Sequence, residues 1–231
     1  DVGGIDAAHK LALLAAIAFG TKVNFASVVL EGIGAITIED INAAADMGYR
    51  IKLLGVSQMT ERGLEQRMTP CLVSAGSPLG QLEGGTNMVI LEGEDSGQIV
   101  LRGAGAGEGP TASAVMSDIL DIARGQRINT FGQPASSLVD AKPTTATTAA
   151  PFYLRLQLLD KPGALAKIAA VMGKANVSID RMRQYAHDTD SAPVLIVTHK
   201  TTRAAIDQIL NEFSKTKLTG DKPVALRIES I

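Results

Sequence analysis

The sequence is short of the residues that mark several classes of protein. It has no tryptophan, one cysteine, three histidines and only 3% aromatic residues. A single cysteine, Cys71, excludes an internal disulfide, and no histidine lies at metal-ligand spacing from it. We therefore expect a reducing, cytoplasmic environment, no metal site, and a role for Cys71 as a small core residue.

Long apolar runs and charge of one sign are also missing. The most apolar run, residues 11–19, is too short to span a bilayer and follows Asp6, His9 and Lys10, so neither export nor membrane insertion is expected. The net charge is -2, without a block of like charges, which disfavours nucleic acid as a partner. With 45% hydrophobic residues, the chain can form a sizeable core, and a small molecule is the expected partner.

Composition divides the chain into two units. Residues 131–150 are rich in Thr, Ala, Ser and Pro and show no helical or strand period, which is typical of a linker. The expected units are residues 1–130 and 151–231, each near the size of an independent domain. Because the first residue, Asp1, is not a methionine, we expect a piece of a longer protein.

The N-terminal unit predicts a mixture of helices and strands. Residues 5–19 carry apolar side chains at helical spacing and are predicted to form a helix. Thr37 with Asp40 resembles a capping box, which predicts a second helix that ends at Met47. Strand-length segments at 50–59, 64–74, 87–92 and 98–102 precede a third helix, expected to start after Pro110. The predicted class is α+β, a mixed sheet with helices on one face.

The C-terminal unit predicts the order βαββαβ. Its strands are expected at 153–159, 177–185, 194–199 and 224–228, and its helices at 163–174 and 202–213. This order is typical of a ferredoxin-like fold, an antiparallel four-stranded sheet with two helices on one face.

Asp6 and Lys10 lie four residues apart, one helical turn from each other on the same face. That spacing alone is typical of an exposed ion pair. The helix is apolar on all sides after Lys10, however. Such a helix is expected to be buried, with the charged pair at its N-terminal end. His9 has no second ligand or carboxylate orienter at suitable spacing, so we expect a packing or surface role for it.

The glycine-rich residues 103–109 follow a strand and precede a helix, as a phosphate-binding loop does. They fail the G-x-G-x-x-G pattern, because Glu108 and Pro110 stand where the third glycine belongs. A tight strand-to-helix turn is the competing interpretation.

The segment DVGGIDAAHKLALLAAIAFG resembles the homoserine dehydrogenase signature, and VVLEGI, MGYRIKLLG and GAGAGEGPTASAVMSDILDIAR agree with that family in order. The resemblance implies that Lys10 transfers a proton and that Asp6 and Asp1 bind the substrate, homoserine or aspartate 4-semialdehyde. It also implies that Gly107 approaches a cofactor, NADP or NAD, whose main site lies in an N-terminal domain absent from this chain. The isolated chain is therefore expected to be inactive.

The segment LLDKPGALAKIAAVMGKANVSI resembles ACT domains, which sense amino acids. The resemblance implies an effector site in which Asp160 and Gly163 expose helix N-terminal amides to a carboxylate and Asn176 holds the other end of the ligand. Turn and capping chemistry is the competing interpretation of each residue. The family implies a homo-oligomer, dimer or tetramer, inhibited by threonine.

Three functions compete at this point. The first is a dehydrogenase whose substrate is handled by Asp6 and Lys10. The second is a non-catalytic, amino-acid-sensing ACT regulatory protein whose N-terminal unit mediates assembly. The third is a purely structural oligomerisation domain, which leaves the charged pair without a purpose. The sequence does not distinguish NAD from NADP, because the residues that read the ribose lie outside it.

Overall fold

A computed structural model describes residues 2–185, 190–216, 219–220 and 223–230. The helices are α1 (Ile5–Phe19), α2 (Ile38–Asp46), α3 (Glu108–Ala123), α4 (Ala164–Lys174) and α5 (Arg203–Thr216). The strands are β1 (Val29–Leu30), β2 (Tyr49–Thr60), β3 (Gly63–Ser74), β4 (Thr86–Gly93), β5 (Gly97–Ala104), β6 (Pro143–Thr144), β7 (Phe152–Leu159), β8 (Ile179–Gln184), β9 (Ser191–Thr198) and β10 (Val224–Glu229).

One mixed sheet of eight strands runs through both halves of the chain. Its main path is β1-β3-β10-β7-β9-β8, and β2 and β6 also pair with β3. The halves join where β3 and β10 lie parallel, with Cys71 beside Arg227 and Val73 beside Glu229. The α+β class with a mixed sheet is thereby confirmed.

The two halves of the sheet carry their helices on opposite faces. In the N-terminal half, α1 packs on Met68 of β3, and α2 contributes Ala44 to a core with Leu72. Met68 and Leu72 are an even number of residues apart on one strand and therefore point to the same face. The expectation that helices of this unit share one face is confirmed for α1 and α2.

The C-terminal half has the strand order β10-β7-β9-β8, and every pairing within it is antiparallel. Helices α4 and α5 cover one face through Ile168, Ile209 and Phe213, which pack on alternate residues of β7 and β9 such as Leu154 and Ile196. This is the ferredoxin-like arrangement, as predicted. The other face of the same strands, with Tyr153 and Leu195, packs against α2.

Helix ends follow the local sequence signals, with one difference. Thr37 caps α2 and forms the predicted capping box with Asp40. Helix α3 begins at Glu108, earlier than the predicted start after Pro110. Pro110 occupies the first turn, where its missing N–H leaves no helical hydrogen bond unmade and its fixed φ suits the helix.

The β4–β5 hairpin and α3 stand apart from the main sheet. The hairpin forms its own two-stranded sheet, and no residue of α3 is buried. Large apolar side chains of both elements face solvent, among them Leu101, Met116 and Ile122.

Residues 131–150 lie against the sheet and do not form a free tether. Val139 pairs with Thr21, Leu138 is buried, and β6 runs parallel to the start of β3. One sheet and a shared hydrophobic cluster include residues of both units. The domain boundaries at residues 130 and 150 therefore stay predictions.

No helix in the described ranges is both long enough and apolar enough to cross a membrane.

The Tyr153 side chain offers a test of the core shared by α2 and the C-terminal strands. Tyr153 is fully buried, and its hydroxyl has no hydrogen-bond partner among the described residues. We expect Tyr153→Phe to raise the free energy of unfolding by about 1 kcal/mol, because an unpaired buried hydroxyl is costly. The measurement is the urea midpoint at unchanged m-value.

Tyr185→Phe is the matched control. The Tyr185 hydroxyl donates to the Asp46 carboxylate over 3.0 Å, so its removal should cost about 0.5 to 1 kcal/mol. Destabilisation of the Tyr153→Phe protein to the same extent would show that the buried hydroxyl is satisfied.

Candidate functional site

The first turn of α1 is held close to the sheet by Gly4. A Cβ added at Gly4 would lie 3.3 Å from side-chain atoms of both Leu53 and Met68. Ala8 and Leu11, on the next turns, pack against Met68 in one buried cluster. The glycine therefore allows the helix start to rest directly on β2 and β3, which fixes the direction in which the next residues of the helix point.

Asp6 and Lys10 form the ion pair that their spacing predicts. The Lys10 ammonium donates a hydrogen bond to Oδ2 of Asp6. The side chains of Lys10 and Asp6 are 66% and 70% exposed. The structure thus brings the two residues together on the solvent side of α1.

The expectation that α1 is buried all round is wrong for this chain. Its packed face consists mostly of alanines, together with Leu11. Leu13, Leu14 and Ile17 are 47%, 44% and 50% exposed. An apolar pattern shows which residues avoid water but not which of them meet a partner within the same chain. The described residues therefore leave the end of α1 that carries Asp6 and Lys10 exposed.

The pair has a defined electrostatic effect on the carboxylate. The hydrogen bond from Lys10, followed by its charge, lowers the pKa of Asp6 below its usual 3.8. Asp6 therefore remains an anion and a hydrogen-bond acceptor at neutral pH. Any stability that it contributes is present above the unfolded pKa and is lost as the pH falls through the lower folded value.

His9 is exposed and packs on a neighbouring ring, which agrees with the packing or surface role expected for it. Its ring stacks on Phe25, with ring centroids 3.8 Å apart and planes 7° from parallel. The stack joins the first turns of α1 to the short 3-10 turn at Phe25–Ser27. His9 therefore steadies the helix on the side next to Lys10.

The remaining predicted residues of the substrate and cofactor site are not gathered around this pair by the described contacts. Asp1 lies outside the described residues. Gly107 is the N-cap of α3, with φ 119°, a backbone conformation that strongly favours glycine. An added Cβ there would meet only Pro110 within 4 Å, so the backbone is open to close approach by a flat ring.

A dinucleotide phosphate does not fit the same loop. Glu108 occupies the first turn of α3, where its negative charge competes with an anion for the helix N-terminus. The interpretation of residues 103–109 as a tight strand-to-helix turn agrees with the structure, in which β5 ends at Ala104 and α3 begins at Glu108.

The three predicted effector residues lie at two ends of one helix. Gly163 is the N-cap of α4, with φ 81°, and the Asp160 amide donates to the Asp190 carbonyl over 2.9 Å. Asn176 follows the helix and has a positive φ of 55°, as the residue after a helix often has. Eleven helical residues separate the ends by about 16 Å. One copy of the chain therefore does not bring Asn176 to Gly163.

The backbone conformation of Gly163 can be tested against a second glycine of the same helix. We expect Gly163→Ala to destabilise the chain by about 1 to 2 kcal/mol, because a Cβ is strained at positive φ. Gly173→Ala, inside α4, should instead stabilise it by about 0.5 kcal/mol. Neither Cβ would meet an atom within 4 Å, so crowding does not confound the comparison, which is made on urea midpoints. Equal effects of the two substitutions would contradict it.

Two buried charge groups were not predicted from the sequence. Asp40 is fully buried and forms a two-pronged ion pair with Arg155 of β7. Arg67, which is 4% exposed, lies 2.9 Å from Glu65 and 2.7 Å from Glu229. For the Arg67 group, the sequence does contain a sign of buried charge, which is the polar run Glu65, Gln66, Arg67 inside an otherwise apolar strand.

The two best-defined cavities lie away from the Asp6/Lys10 pair. A cavity of about 180 Å³ is lined by Lys22, Asn24, Ser27 and Asp140 among others, and a wider groove by Met47, Pro151 and Glu229 among others. Neither is lined by Asp6 or Lys10. In the part of the chain that the structure describes, no three His, Cys, Asp or Glu side chains are grouped to hold a metal ion.

Comparison with known protein families gives two matches. A family model described as homoserine dehydrogenase matches residues 1–120. The chain belongs to the homoserine dehydrogenase family. A second model, the ACT domain, matches residues 152–217. The two matches confirm both family resemblances. The first spans Asp6, Lys10 and Gly107, and the second spans Asp160, Gly163 and Asn176.

Individual relatives agree with the family assignment. The chain is 37% identical to a homoserine dehydrogenase of Neisseria gonorrhoeae and 35% identical to one of Pseudomonas aeruginosa, and it covers 55% of each. Its structure is similar to the crystal structure of a homoserine dehydrogenase from Thiobacillus denitrificans, with a TM-score of 0.88 and 35% identity over 100% of this chain and 54% of that one. The chain thus spans about half the length of these relatives.

Proposed function

We propose that this chain is the substrate-handling and regulatory part of a homoserine dehydrogenase, which interconverts L-homoserine and L-aspartate 4-semialdehyde with NAD or NADP. The observation that carries the proposal is the hydrogen-bonded Asp6/Lys10 pair on α1, inside the segment that matches the family. The domain division proposed with it is a substrate unit at 1–130 and an ACT unit at 151–231.

The two side chains have complementary roles. Asp6, an anion held by Lys10, accepts hydrogen bonds from the ammonium group of homoserine. That ammonium group competes with Lys10 for the carboxylate, which leaves the lysine free to turn to the substrate hydroxyl. After the Lys10 ammonium has given one proton to water, its amine takes the hydroxyl proton in the oxidation, and the ammonium form returns a proton to the carbonyl oxygen in the reverse reaction.

A bound nicotinamide cofactor supplies the hydride acceptor for the oxidation. Gly107 fits close approach of the cofactor, because its backbone is open and has no Cβ. Asp1 is proposed as a further substrate ligand. The main cofactor site is proposed to lie in the part of the relatives that this chain does not span.

The ACT unit is proposed to bind an amino acid, with threonine as the first candidate. Asp160 and Gly163 lie at one end of α4 and Asn176 at the other. A ligand that uses both sets therefore needs two copies of the chain, which supports a homo-oligomer. The single cysteine supports a cytoplasmic location.

The experiment is an assay of the full-length encoded protein with L-homoserine and NAD or NADP, followed by the absorbance of the reduced cofactor. We expect turnover from the full-length protein and none from residues 1–231 alone. Turnover by the isolated chain, or its absence from the full-length protein, would contradict the proposal.

A non-catalytic amino-acid sensor is the second candidate. The observation in its favour is the exposure of Lys10, whose side chain is 66% accessible among the described residues. Such a protein would show no turnover in the assay at any substrate concentration, although it would still bind its amino acid.

A further inference from the structure

Strand β3 contacts both the proposed catalytic helix and the ACT unit. Met68 packs under Ala8 and Leu11 of α1. Cys71, three residues further along the same strand, pairs with Arg227 of β10. The two contacts are about 10 Å apart along one continuous strand.

A group of four charges joins β3 to β10, with Glu65, Arg67 and Arg227 buried and Glu229 13% exposed. Arg67 bridges Glu65 and Glu229, and Arg227 lies 2.6 Å from Glu229. Arg227 also donates to the Thr148 carbonyl over 2.6 Å. Two cations face two anions, so the group is neutral, and removal of one member leaves a buried charge unpaired.

Arg67 and Met68 are adjacent residues of β3, and their side chains point to opposite faces of the sheet. Successive side chains of a strand point to opposite faces of the sheet. Arg67 therefore faces the charge group on one side while Met68 faces α1 on the other. A shift of β10 that moves Glu229 acts on the peptide that carries both residues.

The opposite face of the junction is fastened as well. Asp40 of α2 is paired with Arg155 of β7, the strand next to β10. Since α2 shares a core with Leu72 of β3, the ACT strands hold β3 on both faces of the sheet.

We propose that β3 is the link through which the ACT unit acts on the Asp6/Lys10 pair, and that Arg67 and Glu229 are positioning residues for that pair. The functional part of this inference rests on the proposed function of Asp6 and Lys10. The mechanical part, a coupling between β10 and α1, can be measured without any ligand or turnover.

The mechanical test is hydrogen exchange of residues 1–231. Glu229→Gln should accelerate exchange of the α1 amides at Ala8, Leu11 and Ala12 by about tenfold, an ordinary size for local loosening. The control, Ile209→Val, trims the ACT core on its helix-covered face, away from β3, and should change these amides by less than about twofold. The two variants are compared at urea concentrations that give them equal global stability.

Unchanged α1 exchange in Glu229→Gln, or equal acceleration in both variants, would overturn the coupling. If Glu229→Gln does not fold, Glu229→Asp, which keeps the charge and shortens its reach, is measured in its place with the same criteria.

The functional test uses the full-length protein. Glu229→Gln should lower kcat/KM for L-homoserine by about tenfold and leave KM for the cofactor unchanged, with partial recovery in Glu229→Asp. Equal kinetics of wild type and Glu229→Gln would overturn the positioning role. A wild type without turnover would refute the proposed function instead, and hydrogen exchange would then decide the coupling alone.

Discussion

Lys10→Met in the full-length protein is expected to lower kcat for homoserine oxidation by about 100- to 10,000-fold, the range over which a positioned proton-transfer group acts. Methionine keeps most of the length of the side chain but has no group that accepts or donates the hydroxyl proton. The fold should be unaffected, because Lys10 is exposed and contacts only Asp6 in the described ion pairs.

Lys22→Met is the matched control for this substitution. Lys22 also forms an exposed ion pair, with Asp140 over 2.8 Å, and its side chain is 57% exposed. Loss of a surface pair costs little, so its kcat should stay within about twofold of wild type. Activity of the Lys10→Met protein within tenfold of the Lys22→Met protein would remove Lys10 from the proton transfer.

Arg155→Met is expected to lower the free energy of unfolding by about 3 to 5 kcal/mol, the largest stability effect foreseen here. Asp40 is fully buried, and without the guanidinium its carboxylate is left unpaired between α2 and β7. The measurement is the urea midpoint of the isolated chain, read by circular dichroism.

Two further variants separate the ion pair from other effects. Arg203→Met removes exposed pairs with Asp207 and Glu31 and should cost less than about 0.5 kcal/mol. Asp40→Asn combined with Arg155→Met should recover part of the loss, because no buried charge then remains unpaired. A cost below about 1 kcal/mol for Arg155→Met alone would show that water or another cation satisfies Asp40.

The order of helices and strands could be predicted because local sequence signals determine it. Helix α1 was predicted with the bounds that the structure shows, since its apolar period ends at a glycine. The Thr37/Asp40 box fixed the start of α2. The βαββαβ order of the ACT unit followed from alternating and helical periods, and its topology followed from the order.

Contacts between distant segments could not be predicted in the same way. A capping residue such as Asp40 gives no local sign that it will also meet Arg155, 115 positions later. The apolar surface of α1 indicated burial, but Leu13 and Ile17 are about half exposed among the residues that the structure describes. Periodicity identifies a face of a helix, whereas its occupant depends on tertiary and quaternary context.

The candidate site shows the same division. The spacing of Asp6 and Lys10 predicted their contact, which the structure bears out. Their roles, and those of Asp1, Gly107, Asp160, Gly163 and Asn176, remain proposals, because residue spacing and backbone conformation determine which side chains meet but not which ligand they bind.

Reductive methylation of lysines, mapped by mass spectrometry, tests most directly whether the substrate covers the Asp6/Lys10 pair. Lys10 and Lys22 are similarly exposed, at 66% and 57%, so in the isolated chain both should react at similar rates. In the full-length protein, saturating L-homoserine with NAD or NADP should lower the rate of modification of Lys10 relative to that of Lys22 by about tenfold or more. Modification of Lys10 at the same rate with and without substrate and cofactor would contradict the account.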